Sequence, residues 1–189
     1  YSDVIELCRV IDGTEYADPE AFAAALEEVF EVDTFLRYMA VVVATMNWDI
    51  YPYTGNNYFL YHHPGTERFE WIAWDLSWGG DVEQPLFELQ GPQLFERAPL
   101  YDRVFEVERY RLRYAAYLDL LIRHRFNQQY IERRAGALQQ MIAPFLSQGD
   151  KMYFGDTAMF PPHAFEHGPA ELAHLAAERS AFIRRSLEQ

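Results

Sequence analysis

The sequence predicts a single, mainly α-helical domain over residues 1–189, interrupted by one small β-hairpin. Three observations predict it. Apolar residues recur at three- and four-residue spacing through residues 2–46 and again from about Glu106 onward, the period of helices with one buried face. Between these regions the period changes to two, in "NYFLYHH" and "RFEWIAW", stretches rich in β-formers that flank the turn signal "PGT". Half of the 189 residues are apolar and 16% are aromatic, which favours a packed core over a disordered chain.

Each element has a local reason. Ser2 is the expected N-cap of a first helix over residues 2–12, with Val4, Ile5, Leu7, Cys8 and Ile11 on its apolar face and Gly13 closing it. Asp18-Pro19-Glu20 opens a second helix, with Asp as N-cap and Pro at the first helical position, running to about Phe30. Asp33 is the expected cap of a third helix, apolar on most sides from Phe35 to Met46 and therefore central. The hairpin follows. Residues 79–101 carry several Gly and Pro without a period and read as an extended connection. "ERYRLRYAAYLDLLIRHRF" and "QQYIERRAGALQQMIAPFL" read as two amphipathic helices separated near Asn127. Residues 147–167 read as a loop, and a last helix from Pro169 to about Leu187 buries Leu172, Leu175, Ala176, Phe182 and Ile183.

Composition excludes several classes. A formal charge of −13 argues against nucleic acid as a partner, because phosphate backbones are held by clustered Lys and Arg. No stretch approaches the roughly 18 uninterrupted apolar residues of a membrane span; "YMAVVVATMNW" is too short. The single cysteine, Cys8, rules out an internal disulfide and reads as a buried structural thiol. Arginine outnumbers lysine fifteen to one, so chemistry requiring a lysine has only Lys151. The chain begins at Tyr1 without an initiator Met or a targeting segment, and reads as an excerpt of a longer protein.

The chemistry concentrates at residues 47–80, which hold all four tryptophans. A buried helix ends at Asn47-Trp48-Asp49, a loop leads to Asn57, and the second strand ends at Asp75, with Gly79 and Gly80 beyond. A tight hairpin returns the chain to its start, so Asp75 should emerge near Asp49 and Asn57. Two carboxylates and an amide offer a divalent hard cation the oxygen ligands it prefers. An Asp after a helix is also an ordinary turn residue, and an Asp after a strand can cap the next helix. Trp48 and Trp74, each directly before one aspartate, read as rigid supports and add weight to the functional reading without displacing the ordinary one. His62-His63 point to opposite faces of a strand and do not share an ion. The acidic "ALEEVFEVD" reads as a solvated helix face, and arginines 109, 111, 113, 123 and 125 as partners of the surplus carboxylates.

The same order occurs in protein kinases: a catalytic Asp, a downstream Asn that holds metal, a hairpin, and a metal-binding Asp. Here Asp49 is the base, Asn57 the amide ligand and Asp75 the metal aspartate in "DLSWG". The step from Asp49 to Asn57 is eight residues, where the kinase loop has about five, so Asn56 is a rival to Asn57. "NWD…NNYFLY…RFEWIAWDLSWG" resembles the signature of the CotH-type spore-coat protein kinases. "VDTFLRYMAVVVATMNWD" resembles the helix before that signature, and "FIRRSLEQ" the closing helix of such domains.

The resemblance implies the helical C-terminal lobe of an atypical protein-kinase-like fold, which uses ATP and Mg²⁺ or Mn²⁺ to phosphorylate Ser or Thr of secreted or coat proteins. It implies an extracytoplasmic, secreted or spore-coat location. Ser77 stands where the family often has a second acidic residue. Kinases also hold the α- and β-phosphates with a strand lysine from an N-terminal lobe. Lys151 lies downstream of Asp75, and no Gly-rich strand-turn-strand precedes Asp49, so the nucleotide-clamping lobe is expected either before residue 1 or to be absent in nature, and the excerpt alone is expected to be inactive. Two rivals remain: a non-catalytic kinase-like module of a coat or cell surface, and a glycoside hydrolase with Asp49 and Asp75 as its carboxylate pair.

Overall fold

The fold is described from a computed structural model, which covers residues 1–77, 79–88, 98–146 and 162–188. Trp78, Lys151 and most of the expected 147–167 loop lie outside the described residues. The elements are α1 (Ser2–Asp12), a 3-10 turn (Thr14–Tyr16), α2 (Pro19–Val29), α3 (Val32–Ala44), α4 (Tyr51–Thr54), β1 (Tyr58–His63), β2 (Arg68–Ala73), α5 (Pro99–Glu106), α6 (Glu108–His124), α7 (Gln128–Leu146) and α8 (Pro162–Leu187). The mainly helical class with one antiparallel hairpin is therefore observed. The chain divides into two units, Tyr1–Asp119 and Leu120–Gln189.

In the first unit α3 is the centre. Nine of its thirteen residues are buried, among them Phe35, Leu36, Met39 and Val43, as its nearly all-round apolar pattern requires. The Asp18 side chain caps α2 by accepting from Ala21 N–H at 2.9 Å, with Pro19 at the first helical position. Two other caps differ from expectation. α1 starts after Tyr1 with Ser2 already helical, and α3 starts after Glu31. Asp33 lies inside the first turn of α3, where its carboxylate takes an ion pair from Arg37 at 2.6 Å and a hydrogen bond from the Tyr117 hydroxyl instead of a backbone N–H.

Cys8 is exposed, not buried: α1 turns Leu7 and Val10 inward, and the thiol falls on the other face. The extended connection expected over residues 79–101 overlaps the first turn of α5, which is already helical from Pro99. This helix is too short to show a period, and tertiary contacts hold it: Arg103 bonds the Ile11 carbonyl at 3.1 Å and lies over the Phe22 ring at 4.3 Å. The arginine expectation holds for Arg109, which grips Glu20 at 3.1 Å and Glu27 at 2.6 Å. Burial opposes ionisation of Glu27, yet hydrogen bonds from Arg109 and Tyr110 hold its pKa below the ordinary glutamate value.

The hairpin has the expected alternation, with Tyr58 opposite Ala73, Leu60 opposite Trp71 and His62 opposite Phe69 on one face. That face docks on the joint between α2 and α3: Glu31 N–H donates to the Phe69 carbonyl at 2.8 Å, and Trp71 N–H to the Thr34 hydroxyl at 3.3 Å. Trp71 is the packed centre, stacked on Tyr58 at 4.1 Å and edge-on to Phe35 at 4.9 Å. The opposite face leaves Phe59, Tyr61, Ile72 and Trp74 exposed.

In the second unit α7 packs against α8. α8 begins at Pro162, seven residues before the expected start, and runs through Pro169. Pro169 has no N–H for the Phe165 carbonyl, and the Gln139 side chain of α7 donates to that carbonyl instead, so the helix continues through the proline. The buried stripe of α8 is Ala173, Ala176, Ser180 and Ile183, together with the fully buried Arg179, whose guanidinium lies 5.1 Å from the Phe182 ring. Leu172 is exposed and Leu175 and Phe182 are half-buried, contrary to the expected stripe.

Candidate functional site

The site begins where α3 stops. Thr45 N–H and Asn47 N–H return to the carbonyls of Val41 at 2.9 Å and Val42 at 2.8 Å, and Met46 takes φ 56, a left-handed turn usually left to glycine. The turn throws Asn47 inward, where it is completely buried. Its side-chain oxygen accepts the Asp49 N–H at 2.9 Å and so fixes the main chain of the aspartate. Ile50, fully buried, then leads into α4, which ends at Gly55 in the left-handed conformation that suits a residue without a Cβ.

The Asp49 carboxylate receives two amides. Asn57 donates from Nδ2 to Asp49 Oδ2 at 3.0 Å and to the Asp49 carbonyl at 2.7 Å; Asn56 donates to Asp49 Oδ1 at 3.2 Å. Both partners of Asn57 Nδ2 are pure acceptors, so the amide must turn its nitrogen toward Asp49 and its oxygen away. The Asn56 oxygen is taken by the Thr54 hydroxyl, whereas among the described residues no donor meets Asn57 Oδ1. Asn57 itself sits at φ 60.

The hairpin then delivers the third residue. Trp74 N–H donates to the Asn57 carbonyl at 3.2 Å, so the ladder extends one pair beyond the strands and Asp75 is the next residue, at the same end of the ribbon. Asp75 is exposed, stands at φ 44, and accepts the Ser77 hydroxyl on Oδ1 at 2.7 Å. Four non-glycine residues among those described have positive φ: Glu67 serves the hairpin turn, and Met46, Asn57 and Asp75 belong to this site. Backbone strain of this kind concentrates where geometry is functional.

Asp49 and Asn57 are thus in direct contact, and Asp75 is placed by register at the end of the ribbon that carries Asn57. The supporting role read for Trp74 does not hold. Alternation puts it on the outer face, 60% exposed, edge-on to Phe59 at 5.6 Å. The packed tryptophan is Trp71, between Tyr58, Phe35 and Tyr51. Burial pushes the Tyr51 hydroxyl up to about 12. His62 and His63 behave as separate side chains: one lies over Phe69 and the other accepts from Gly65 N–H. Among the described residues, no three His, Cys, Asp or Glu side chains gather as a metal cluster.

The model of the family described as CotH kinase protein matches residues 1–183. The chain belongs to the CotH family. It is 28% identical over 127 residues to the inner spore coat protein H of Bacillus subtilis, which covers 66% of this chain and 34% of that protein. It is 25% identical over 157 residues to the invasin CotH3 of Rhizopus delemar, covering 77% of this chain and 26% of that protein. This CotH chain therefore spans about a quarter to a third of the length of the curated relatives it matches. Among its described residues no helix is long and apolar enough to cross a membrane.

Sequence reasoning assigned no role to Asn47. The signal was available: an Asn two residues before an Asp at a helix end is the pattern of a side chain capping the backbone two residues on.

Proposed function

We propose that this CotH chain is the catalytic lobe of a metal- and ATP-dependent protein kinase, akin to the helical C-terminal lobe of kinase-like folds. In this reading Asp49 is the base, and Asn57 and Asp75 are the ligands of Mg²⁺ or Mn²⁺. The observation that carries it is the Asn57 amide, whose nitrogen holds Asp49 and whose oxygen is turned away toward no donor among the described residues. Asn56, with its oxygen occupied by Thr54, is the weaker ligand. The donors fit a hard cation: a carboxylate and an amide oxygen, with the exposed Asp75 leaving room for water and phosphate oxygens. A cation bound there neutralises charge on the transferring phosphoryl group.

Asp49 orients the Ser or Thr hydroxyl of a protein substrate and accepts its proton as the oxygen bonds to the γ-phosphorus; the bond to the β,γ-bridging oxygen breaks and ADP leaves. Asn57 and Asn56 fix both carboxylate oxygens, and Asn47 fixes the backbone behind them, so the base is oriented before substrate arrives. The nucleotide clamp belongs to a further lobe of the longer protein. We place the protein in a coat or at a cell surface, which the spore-coat and invasin names of its two relatives support.

The test is radiolabel transfer from ATP by the full-length protein. Asp49→Asn and Asp75→Asn should each lower the rate by about 10²-fold or more. Parent-like labelling by both variants would overturn the assignment.

A further inference from the structure

The segment after Asp75 closes back onto the elbow that carries Asp49. Gly80 comes so near the end of α3 that a Cβ on it would stand 2.9 Å from the Met46 carbonyl oxygen and 3.7 Å from Trp48 Cδ1. A backbone oxygen cannot swing aside as a side-chain tip does, so only a hydrogen fits there. The adjacent Gly79 is different: its Cβ would lie 3.7 Å from the Thr45 carbonyl, an ordinary contact. Four residues on, Gln84 is buried and donates to the Tyr53 hydroxyl of α4 at 2.6 Å. The elbow of residues 45–50 and the short helix after it are therefore touched at two points by residues 80 and 84.

We infer that Gly80 and Gln84 form a brace that sets the Asp49 elbow from the far side of the metal aspartate, making Gly80 a positioning residue for the base. The elbow needs such a brace. Met46 is held at φ 56 with a full side chain, a conformation that persists only where surroundings enforce it. α4 is a single turn, too short to be stable alone. Gly80 fixes the entry to the elbow and Gln84 fixes its exit. The two catalytic arms are thereby tied in space as well as through the hairpin.

This inference rests on the phosphoryl-transfer reading only for its rate measurement. The test compares full-length parent, Gly79→Ala, Gly80→Ala and Gln84→Met by hydrogen exchange and by ATP-dependent transfer. In Gly80→Ala, peptides spanning residues 46–55 should exchange about tenfold faster or more, while those spanning 58–73 keep the parent rate. Gly79→Ala should match the parent throughout. Gln84→Met, which keeps volume and loses the bond to Tyr53, should show the same local change to a smaller degree, and it serves if Gly80→Ala fails to fold. For transfer, kcat should fall in Gly80→Ala with the KM for ATP unchanged. Parent-like exchange over 46–55 in both Gly80→Ala and Gln84→Met overturns the brace, as does an equal effect of Gly79→Ala. Faster exchange with unchanged kcat overturns the positioning role. A parent without any transfer refutes the kinase reading and leaves the exchange result to decide the brace.

Discussion

Asp49 and Asp75 reach the same end of the hairpin but are held in opposite ways. Asp49 is half-buried: its N–H, its carbonyl and both carboxylate oxygens are engaged by Asn47, Asn57 and Asn56, and Trp71 and Tyr51 pack beneath the neighbouring hairpin and helix. Asp75 is exposed, and among the described residues its carboxylate is steadied by the Ser77 hydroxyl at 2.7 Å. In the proposed reading the difference suits the two roles: a base would have to point in one direction before substrate binds, whereas a carboxylate taking a hydrated cation would gain its final geometry from the ion. One arm is fixed by the fold, and the other is not.

The largest expected effect breaks the built arm at its floor. Trp71→Ala removes a buried indole that contacts Phe35, Tyr51 and Tyr58, and should cost about 3–5 kcal/mol in urea unfolding. A loss below about 1 kcal/mol would show that the floor is not what holds the arm. The next pair sharpens the contrast directly. Asn57→Ala strips two hydrogen bonds from Asp49 and puts alanine at φ 60, so it should cost about 1–3 kcal/mol. Ser77→Ala removes one exposed bond and should stay within about 0.5 kcal/mol. Equal losses in the two variants would erase the distinction between the arms.

The last effect is confined to alkaline pH. Burial raises the Tyr51 hydroxyl from 10.0 to about 12, so the folded state keeps a proton that the unfolded chain releases first. Its contribution is fully present below pH 10 and is lost as pH rises toward 12. Thermal melts should therefore fall across that window in the parent and fall less in Tyr51→Phe, whose ring cannot ionise.

The helices were legible where local signals sufficed. Asp18-Pro19 wrote its own cap, the all-round apolar α3 announced its central place, and the change to a two-residue period marked the hairpin on both sides of "PGT". Elements defined by partners were not legible. α5 and α4 are too short to carry a period, and α8 passes through Pro169 because Gln139 satisfies the carbonyl that proline leaves. Trp74 is exposed despite its place beside Asp75, because adjacency in sequence says nothing about burial when strand residues alternate in face.

By itself the sequence determined the helical class and the hairpin, because hydrophobic period and turn chemistry are local and strong. From these it also placed Asp49, Asn57 and Asp75 in one neighbourhood. Only the tertiary structure decided how each is held: the turning inward of Asn47, the orientation of the Asn57 amide and the seating of Gly80 against Met46. Those depend on contacts between residues distant along the chain or on backbone turns of a few degrees of freedom, and neither leaves a periodic trace in the order of the amino acids.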